Sequence, residues 1–272
     1  MPAARTAAGL EPARPVPHRP RRRFGQNFLV DEAVITQIVE AINARPGERV
    51  VEIGPGLGAL TRPLVERLDH LHVVEIDRDL ARRLRAEFFP RQVTVHEQDA
   101  LDFDFAALGG ELRIVGNLPY NISTPLLFHL ARHTPAIRDV HVMLQREVVE
   151  RMVAQPSSSE YGRLSVMIQY RFKLDQLMTI AASAFRPVPK VESAVVRMTP
   201  FDRLPHCARD EEWFGCIVTA AFSQRRKTLR NALKRYLNAD DFSQLGIDAG
   251  HRPQDLGVAE FVRLADRAAE GP

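Results

Sequence analysis

The chain has 272 residues, 45% of them hydrophobic, and carries a formal net charge of +3 with a pI near 9.1. This length is enough for one large α/β domain and a small second domain. No apolar run approaches the roughly 20 residues that cross a bilayer, and the Pro/Arg/Ala-rich start has no apolar signal core. We therefore expect a cytoplasmic protein that binds no membrane. Two cysteines exclude a disulfide scaffold, and the nine histidines show no metal-ligand spacing.

The first half of the chain alternates between strand and helix patterns. Residues 1–21 hold five prolines and few large apolar side chains, which predicts a disordered basic tail. From Asp31, which suits an N-cap, apolar residues recur at helical spacing. Strands are then predicted at 49–53, 71–76, 93–96, 112–115 and 140–144, with helices near 60–68, 79–88 and 124–132. This alternation predicts a parallel, doubly wound α/β sheet.

The second half departs from this pattern. A helix is predicted at 163–170 and two closing strands at 174–180 and 191–198, with Pro187 and Pro189 holding residues 185–190 in an extended loop. Past Pro200 the alternation stops, and 211–222, 227–237 and 258–266 are predicted to be helical. We therefore divide the chain into a tail at 1–21, an α/β domain at 22–200 and a small helical domain at 201–272.

A glycine-rich turn follows the strand at 49–53 and opens a helix. Residues 52–58 read Glu-Ile-Gly-Pro-Gly-Leu-Gly, and Glu75 ends the next strand about twenty residues later. Glycines there let a ligand approach the backbone, and an acidic strand-end residue can accept both hydroxyls of a ribose. The two features fit a nicotinamide dinucleotide and S-adenosylmethionine equally well. A tight turn that binds nothing is the plain alternative.

Two carboxylates favour S-adenosylmethionine. Glu52 lies beside the glycines, where it would repel a pyrophosphate but tolerate the ammonium group of a methionine. Asp99 follows the third strand and can accept a hydrogen bond from an adenine amine. A simple strand-end turn is the alternative interpretation of Asp99.

The tetrapeptide Asn-Leu-Pro-Tyr at 117–120 follows the apolar strand at 112–116. The Asn117 side-chain oxygen and the Leu118 carbonyl, which is held by the fixed φ of Pro119, can each accept one N–H of an exocyclic amine. Tyr120 can stack on the ring of the same base. Because open α/β sheets bind ligands at the carboxyl ends of their strands, the position suits this task. An ordinary turn after a strand is the competing interpretation.

Together these motifs resemble a known family. The set comprises residues 24–31 (Phe-Gly-Gln-Asn-Phe-Leu-Val-Asp), 52–58, Glu75, 98–100, 117–120 and 185–190 (Phe-Arg-Pro-Val-Pro-Lys). It closely resembles the ribosomal RNA adenine dimethyltransferases from about Arg22 to near the C-terminus, with the motifs in family order. Within them it is similar to the small-subunit enzymes, which dimethylate two adjacent adenosines in the 3′-terminal hairpin of 16S RNA.

The resemblance implies a role for each matching residue. Asn117 and the Leu118 carbonyl, which Pro119 holds in place, would bind the target amine, while Tyr120 and Phe185 would pack on the two sides of the target base. On residue type alone, Phe185 is more simply a core aromatic. The cofactor S-adenosylmethionine would contact Gln26, Asn27, Leu29, Glu52, Gly54, Gly56, Glu75, Asp99, Ala100 and Asn117. No metal is implied.

A basic segment near the C-terminus is predicted to bind RNA. Residues 223–235 suggest an amphipathic helix in which Arg226, Arg230 and Lys234 fall four apart on one face. Arg225 and Lys227 belong to the same segment, and phosphate binding is the function they favour beside an RNA-modifying domain. The alternative interpretation is that this helix face is only exposed to solvent and binds no RNA. The expected partner is 16S rRNA in the immature small ribosomal subunit, bound by a monomer.

Four other functions remain open at this stage. A 23S adenine methyltransferase of the macrolide-resistance type shares most motifs, although Leu118 stands where that group often has Ile. A DNA adenine methyltransferase usually has Pro-Pro-Tyr in the tetrapeptide, and Leu118 argues against it. A non-catalytic ribosome-assembly factor would not need the intact motif set. A nicotinamide oxidoreductase would leave residues 117–120 unexplained.

Overall fold

The computed structural model describes residues 26–224 and 226–271. Most of this chain folds around one seven-stranded sheet. Its strands are β2 (Arg49–Ile53), β3 (Leu71–Val74), β4 (Val93–His96), β5 (Leu112–Asn117), β6 (Ile137–Gln145), β7 (Phe172–Ile180) and β9 (Ser193–Pro200). The spatial order is β4-β3-β2-β5-β6-β9-β7. A separate two-stranded ribbon pairs β1 (Phe28–Leu29) with β8 (Phe185–Arg186).

The five strands from β2 to β6 run parallel, while β9 runs antiparallel to both β6 and β7. Helix α1 (Glu32–Ile42) precedes the sheet, and the helices between its strands are α2 (Thr61–Val65), α3 (Arg78–Glu87), α4 (Ser123–Arg132), α5 (Arg146–Val153) and α6 (Arg163–Gln169). The predicted doubly wound α/β sheet is therefore confirmed. The predicted strands at 49–53 and 93–96 match to the residue, whereas α5 and the β1–β8 ribbon were not anticipated.

The C-terminal part is helical, with α7 (Glu211–Phe222), α8 (Leu229–Ala232), α9 (Ala239–Gln244) and α10 (Val258–Ala269). The apolar residues of the protein form three buried clusters. One lies on each face of the sheet. The third joins the C-terminal helices to residues 154–170. Within the described ranges no helix is long and apolar enough to cross a membrane.

The long basic helix expected at 223–235 is wrong, because α8 is the only helix among the described residues of that segment. Thr228 is extended (φ −67°, ψ 159°) and ends the preceding turn. The backbone amides of Leu229 and Arg230 donate to the carbonyls of His251 and Ala249, at 2.8 and 3.1 Å. These two bonds tie the segment to the 249–251 loop instead of to a continuous helix.

Candidate active site

A cleft opens at the carboxyl ends of β2, β3, β4 and β5, where a parallel sheet binds its ligands. Its walls include all of the residues that the sequence assigned to the cofactor, namely Gln26, Asn27, Leu29, Glu52, Gly54, Gly56, Glu75, Asp99, Ala100 and Asn117. Leu118, Pro119 and Tyr120 line the same cleft. The topology therefore brings motifs that are scattered over about ninety residues to one edge of the sheet.

The glycine turn after β2 needs its glycines for two reasons. Gly54 and Gly56 have φ values of 64° and 58°, in the left-handed region that L side chains rarely adopt. A Cβ on Gly56 would also lie 3.1 Å from the ring of Phe28. The turn can therefore pack closely under β1, and its backbone borders the cleft.

Glu75 directly follows β3 as a buried carboxylate, only 5% exposed. Its Oε1 accepts the backbone N–H of Asp77 at 2.9 Å, and its Oε2 accepts that of Gly56 at 3.2 Å. Burial raises the pKa of Glu75, while the two N–H bonds oppose that rise. These bonds fix the orientation of the carboxylate and leave lone pairs that can accept hydroxyl groups from a sugar.

Glu52 is buried on the floor of the cleft, 2% exposed. Its Oε2 accepts a hydrogen bond from the Thr61 hydroxyl at 2.7 Å. Burial raises the pKa of Glu52 to about 8, partly offset by the Thr61 bond, and the charge of Glu75 raises it further. A cation placed beside Glu52 would favour its ionised form, so the position suits a ligand with an ammonium group.

The third strand-end carboxylate, Asp99, is half-buried beside Ala100. Its Oδ1 accepts the Leu101 N–H at 2.9 Å. A carboxylate held in this way can accept an amine on its second oxygen. Ile76, which is 44% exposed, also lines the cleft and was not singled out from the sequence. The signal was present, since a large apolar residue beside Glu75 at a strand end has nothing to pack against until a ligand covers it.

The side-chain amide of Asn117 has a defined orientation. Its Nδ2 donates to the backbone carbonyl of Asn27 at 3.0 Å. Because a carbonyl can only accept, the nitrogen must face Asn27, and Oδ1 is the end that can accept an N–H from a substrate. Leu118 follows as a buried anchor whose N–H donates to the Met143 carbonyl at 3.0 Å. The tetrapeptide is thereby fixed from both sides.

Tyr120 is half-buried at the wall of the cleft. Its hydroxyl lies 2.7 Å from the Ser193 hydroxyl, and either oxygen can donate. Burial raises the pKa of Tyr120, so the phenol stays protonated at neutral pH. The sequence offered no sign of this contact, because Ser193 belongs to a distant strand.

The structure does not bring Phe185 to the cleft. Its side chain is fully buried in the apolar cluster that also contains Leu29, Ile38 and Ile180. It occupies this position because β8 pairs with β1, with Phe185 opposite Leu29. The expectation that Phe185 packs on the target base is therefore not met in this geometry, and the core aromatic interpretation fits instead.

Four of the five basic residues assigned to RNA binding are described, and Arg226, Lys227, Arg230 and Lys234 are all exposed. Arg225 lies outside the described residues, as do the tail and the arginines at 21–23. Across the described ranges, no group of three or more His, Cys, Asp or Glu residues is arranged to hold a metal ion.

The fold and the cleft together define a Rossmann-like methyltransferase that uses S-adenosylmethionine. The chain belongs to the ribosomal RNA adenine dimethylase family, whose sequence profile matches residues 17–270. It is accordingly an S-adenosylmethionine-dependent enzyme that methylates adenine in ribosomal RNA. The resemblance that the motifs indicated is confirmed.

Individual relatives agree with this assignment. The chain is 59% identical over 249 residues to ribosomal RNA small subunit methyltransferase A of Nitrosospira multiformis, covering 92% of this chain and 96% of that one. It is 58% identical to the protein of the same name in Aromatoleum aromaticum, covering 94% and 97%.

Solved structures are similar over most of the chain. A dimethyladenosine transferase from Plasmodium falciparum matches with a TM-score of 0.73 at 24% identity, covering 87% of this chain and 95% of that chain. This likeness supports the fold. The 23S rRNA methyltransferase ErmE matches with a TM-score of 0.69 at 26% identity, covering 89% and 100%.

Proposed function

We propose that this protein dimethylates N6 of two adjacent adenosines in the 3′-terminal hairpin of 16S rRNA while the small ribosomal subunit is still immature. The orientation of the Asn117 amide carries the proposal, because it leaves Oδ1 able to accept one N–H of the adenine amine. The naming of the relatives at 58–59% identity favours the small-subunit RNA over the 23S RNA of the more distant ErmE.

The residues of the cleft fit the cofactor. When bound, S-adenosylmethionine supplies an electrophilic methyl group on a sulfonium. We assign its ribose to Glu75, its adenine to Asp99 and Ala100, and its methionine end to the glycine turn with Gln26, Asn27 and Leu29. Glu52 would balance the charge of the methionine ammonium. The buried acids of the cleft match the positive charge and the sugar hydroxyls of the cofactor. The exposed side chain of Ile76 matches its planar base.

Methyl transfer then depends on positioning and electrostatics. The lone pair of adenine N6 is delocalised into the ring, which makes the amine a poor nucleophile. Two acceptors, Asn117 Oδ1 and the Leu118 carbonyl, would bind its two N–H groups and favour a tetrahedral nitrogen with its lone pair aimed away from both. After transfer the nitrogen is a cationic ammonium, acidic enough to lose its proton to water, so no strong base is required. Tyr120 would stack on the extruded base.

The substrate surface and the domain division are also proposals. We assign the 16S rRNA backbone to Arg225, Arg226, Lys227, Arg230 and Lys234, since four of them are exposed cations on one segment. The catalytic part would comprise residues 22–200 and the RNA-binding part residues 201–272. We further propose that the protein acts as a monomer in the cytoplasm, where ribosomal subunits are assembled.

The test uses purified protein, labelled S-adenosylmethionine and small subunits from a strain that lacks this modification. We expect label as N6,N6-dimethyladenosine in the 16S 3′-terminal hairpin. Label in naked 23S RNA instead would favour the resistance-type function. Tight binding to the subunit without any methyl transfer would favour an assembly factor. Either of these two results would overturn the proposal.

A further inference from the structure

The hydroxyl of Ser193 is the one polar contact described for the Tyr120 side chain, at 2.7 Å, and none of the assigned roles uses it. Ser193 is fully buried. Buried hydroxyls are normally hydrogen-bonded, and here the partner is a residue of the catalytic tetrapeptide. The contact therefore joins the core of the sheet to the wall of the cleft.

Strand direction explains how Ser193 reaches the cleft. β9 runs antiparallel to β6, so its first residue lies at the carboxyl edge of the parallel strands, where the cleft opens. Ser193 pairs with Gln145 of β6 on one side and with Ile180 of β7 on the other. The backbone that carries this hydroxyl is therefore held by a neighbouring strand on each side.

Tyr120, in contrast, belongs to the irregular segment between β5 and α4. The backbone there is anchored by the Leu118 N–H and by the Pro119 carbonyl, which accepts the Ile122 N–H at 3.2 Å and the Ser123 hydroxyl at 3.0 Å. These bonds position the main chain, but they leave the torsions of the Tyr120 ring unrestrained. A hydrogen bond at the far end of the ring restrains the first of those torsions and so fixes where the ring lies, because the hydroxyl oxygen can reach Ser193 from one direction of the side chain.

We propose that Ser193 is a positioning residue that fixes where the Tyr120 ring lies in the wall of the cleft, so that the target adenine stacks on it in register with the Asn117 and Leu118 acceptors. The inference rests on the proposed function for the role of Tyr120. Because the tyrosine stays protonated at neutral pH, its hydroxyl serves as an anchor and does not act as a base. Ser193 would act on the rate only through Tyr120.

The experiment is a double-mutant cycle on the full chain with Ser193→Ala, Tyr120→Phe and the double variant. Single-turnover methyl transfer is measured with saturating cofactor, together with KM for RNA and the Kd for S-adenosylmethionine. We expect each single variant to slow transfer about fivefold, the size expected for one neutral hydrogen bond. The double variant should be no slower than either single one, with the cofactor Kd unchanged.

Ser165→Ala is the matched control, since Ser165 is also fully buried and its hydroxyl donates to the Arg151 carbonyl outside the cleft. It should lower the melting temperature without changing the rate at a temperature where the protein is folded. The inference is overturned if Ser193→Ala transfers at the wild-type rate, or if the two single effects multiply in the double variant.

The cycle is measured on whichever ribosomal RNA the wild-type protein methylates. A failure of the 16S assignment would appear in the wild-type protein alone and would leave the outcome of the cycle interpretable.

Discussion

At the scale of single residues, the site depends on polar groups whose orientation is set by a second contact. Asn117 is turned by the Asn27 carbonyl, Glu75 by two backbone N–H groups, and Tyr120 by Ser193. Such preorganisation lowers the reorganisation needed when a substrate binds.

Asn117→Ala removes the acceptor for the adenine amine and its tie to Asn27. We expect methyl transfer to fall by about 100-fold or more, the usual loss when one preorganised hydrogen bond to a reacting group is deleted. The affinity for S-adenosylmethionine should change much less, because the other cofactor contacts remain. Rates and cofactor Kd are measured by label transfer and calorimetry. Turnover equal to that of the wild type would refute the assignment.

Glu52 should make the stability of the cofactor-free protein depend on pH. Burial raises its pKa from the ordinary 4.5 to about 8, so the folded state binds more protons than the unfolded state between these values. The contribution of Glu52 to the free energy of unfolding is therefore fully present below about pH 4.5 and is lost as the pH rises towards 8. The loss at this site is at most about 5 kcal/mol, since one pKa unit is worth about 1.4 kcal/mol.

Glu52→Gln keeps the shape and the contact with Thr61 but cannot ionise. Urea unfolding at pH 5, 6.5 and 8 should show the wild type losing stability relative to this variant. Parallel stability curves for the two proteins would contradict the prediction.

At the scale of elements, local irregularity matters as much as regular structure. Where the structure describes the basic segment, its helix is the four-residue α8, so the described cations are not spaced along one helix face. Arg226 and Lys227 lie in the turn before it, Arg230 lies within it, and Lys234 follows it.

Charge reversal at Arg226 and Arg230 tests this surface. We expect Arg226→Glu with Arg230→Glu to weaken RNA binding and to make the dependence of log K on log salt shallower by about two, one for each lost phosphate contact. The matched control reverses Arg45 and Arg91, two exposed arginines near the amino ends of β2 and β4, at the edge opposite the cleft. If the two double variants show the same dependence of log K on log salt, the assignment of RNA binding to Arg226 and Arg230 is wrong.

At the scale of the whole molecule, α6 joins the two proposed domains. Its Leu164 and Ile168 pack into the sheet cluster, whereas Val166 and the following Tyr170 belong to the cluster of the C-terminal helices. One short helix therefore contributes to two cores. A boundary at residue 200 assigns α6 to the first domain and α7–α10 to the second. The buried cluster that α6 shares with the C-terminal helices extends across that boundary.

A chain that ends at Pro200 should consequently be unstable. Tyr161, Val166 and Tyr170 are at most 3% exposed in the full chain and would lose their cover. Each large apolar side chain is worth about 1.5–3 kcal/mol on burial, against a typical domain stability of about 5–15 kcal/mol. Thermal unfolding of this chain should begin well below that of a chain ending at Glu270. Equal midpoints would show that residues 22–200 fold independently.

Much of the fold and site was predictable from contiguous residues. The strands at 49–53 and 93–96 follow from short segments rich in β-branched residues, and the turn at 54–58 follows from glycines, which adopt a left-handed backbone easily. The tetrapeptide at 117–120 and the strand-end acids Glu75 and Asp99 stand where parallel strands place their ligands. Each of these signals is local, because periodicity and turn chemistry act over a few neighbouring residues.

Only the tertiary structure decided the rest. Tyr120 and Ser193 are 73 residues apart, and Asn117 and Asn27 are 90 apart, so neither pairing leaves a mark on the local sequence. The burial of Phe185 depends on β8 pairing with β1, and the shortness of α8 depends on the 249–251 loop competing for its backbone amides. The physical reason is the same in each case. A polar or apolar group takes the best partner that the folded chain offers, and that partner is set by topology and packing.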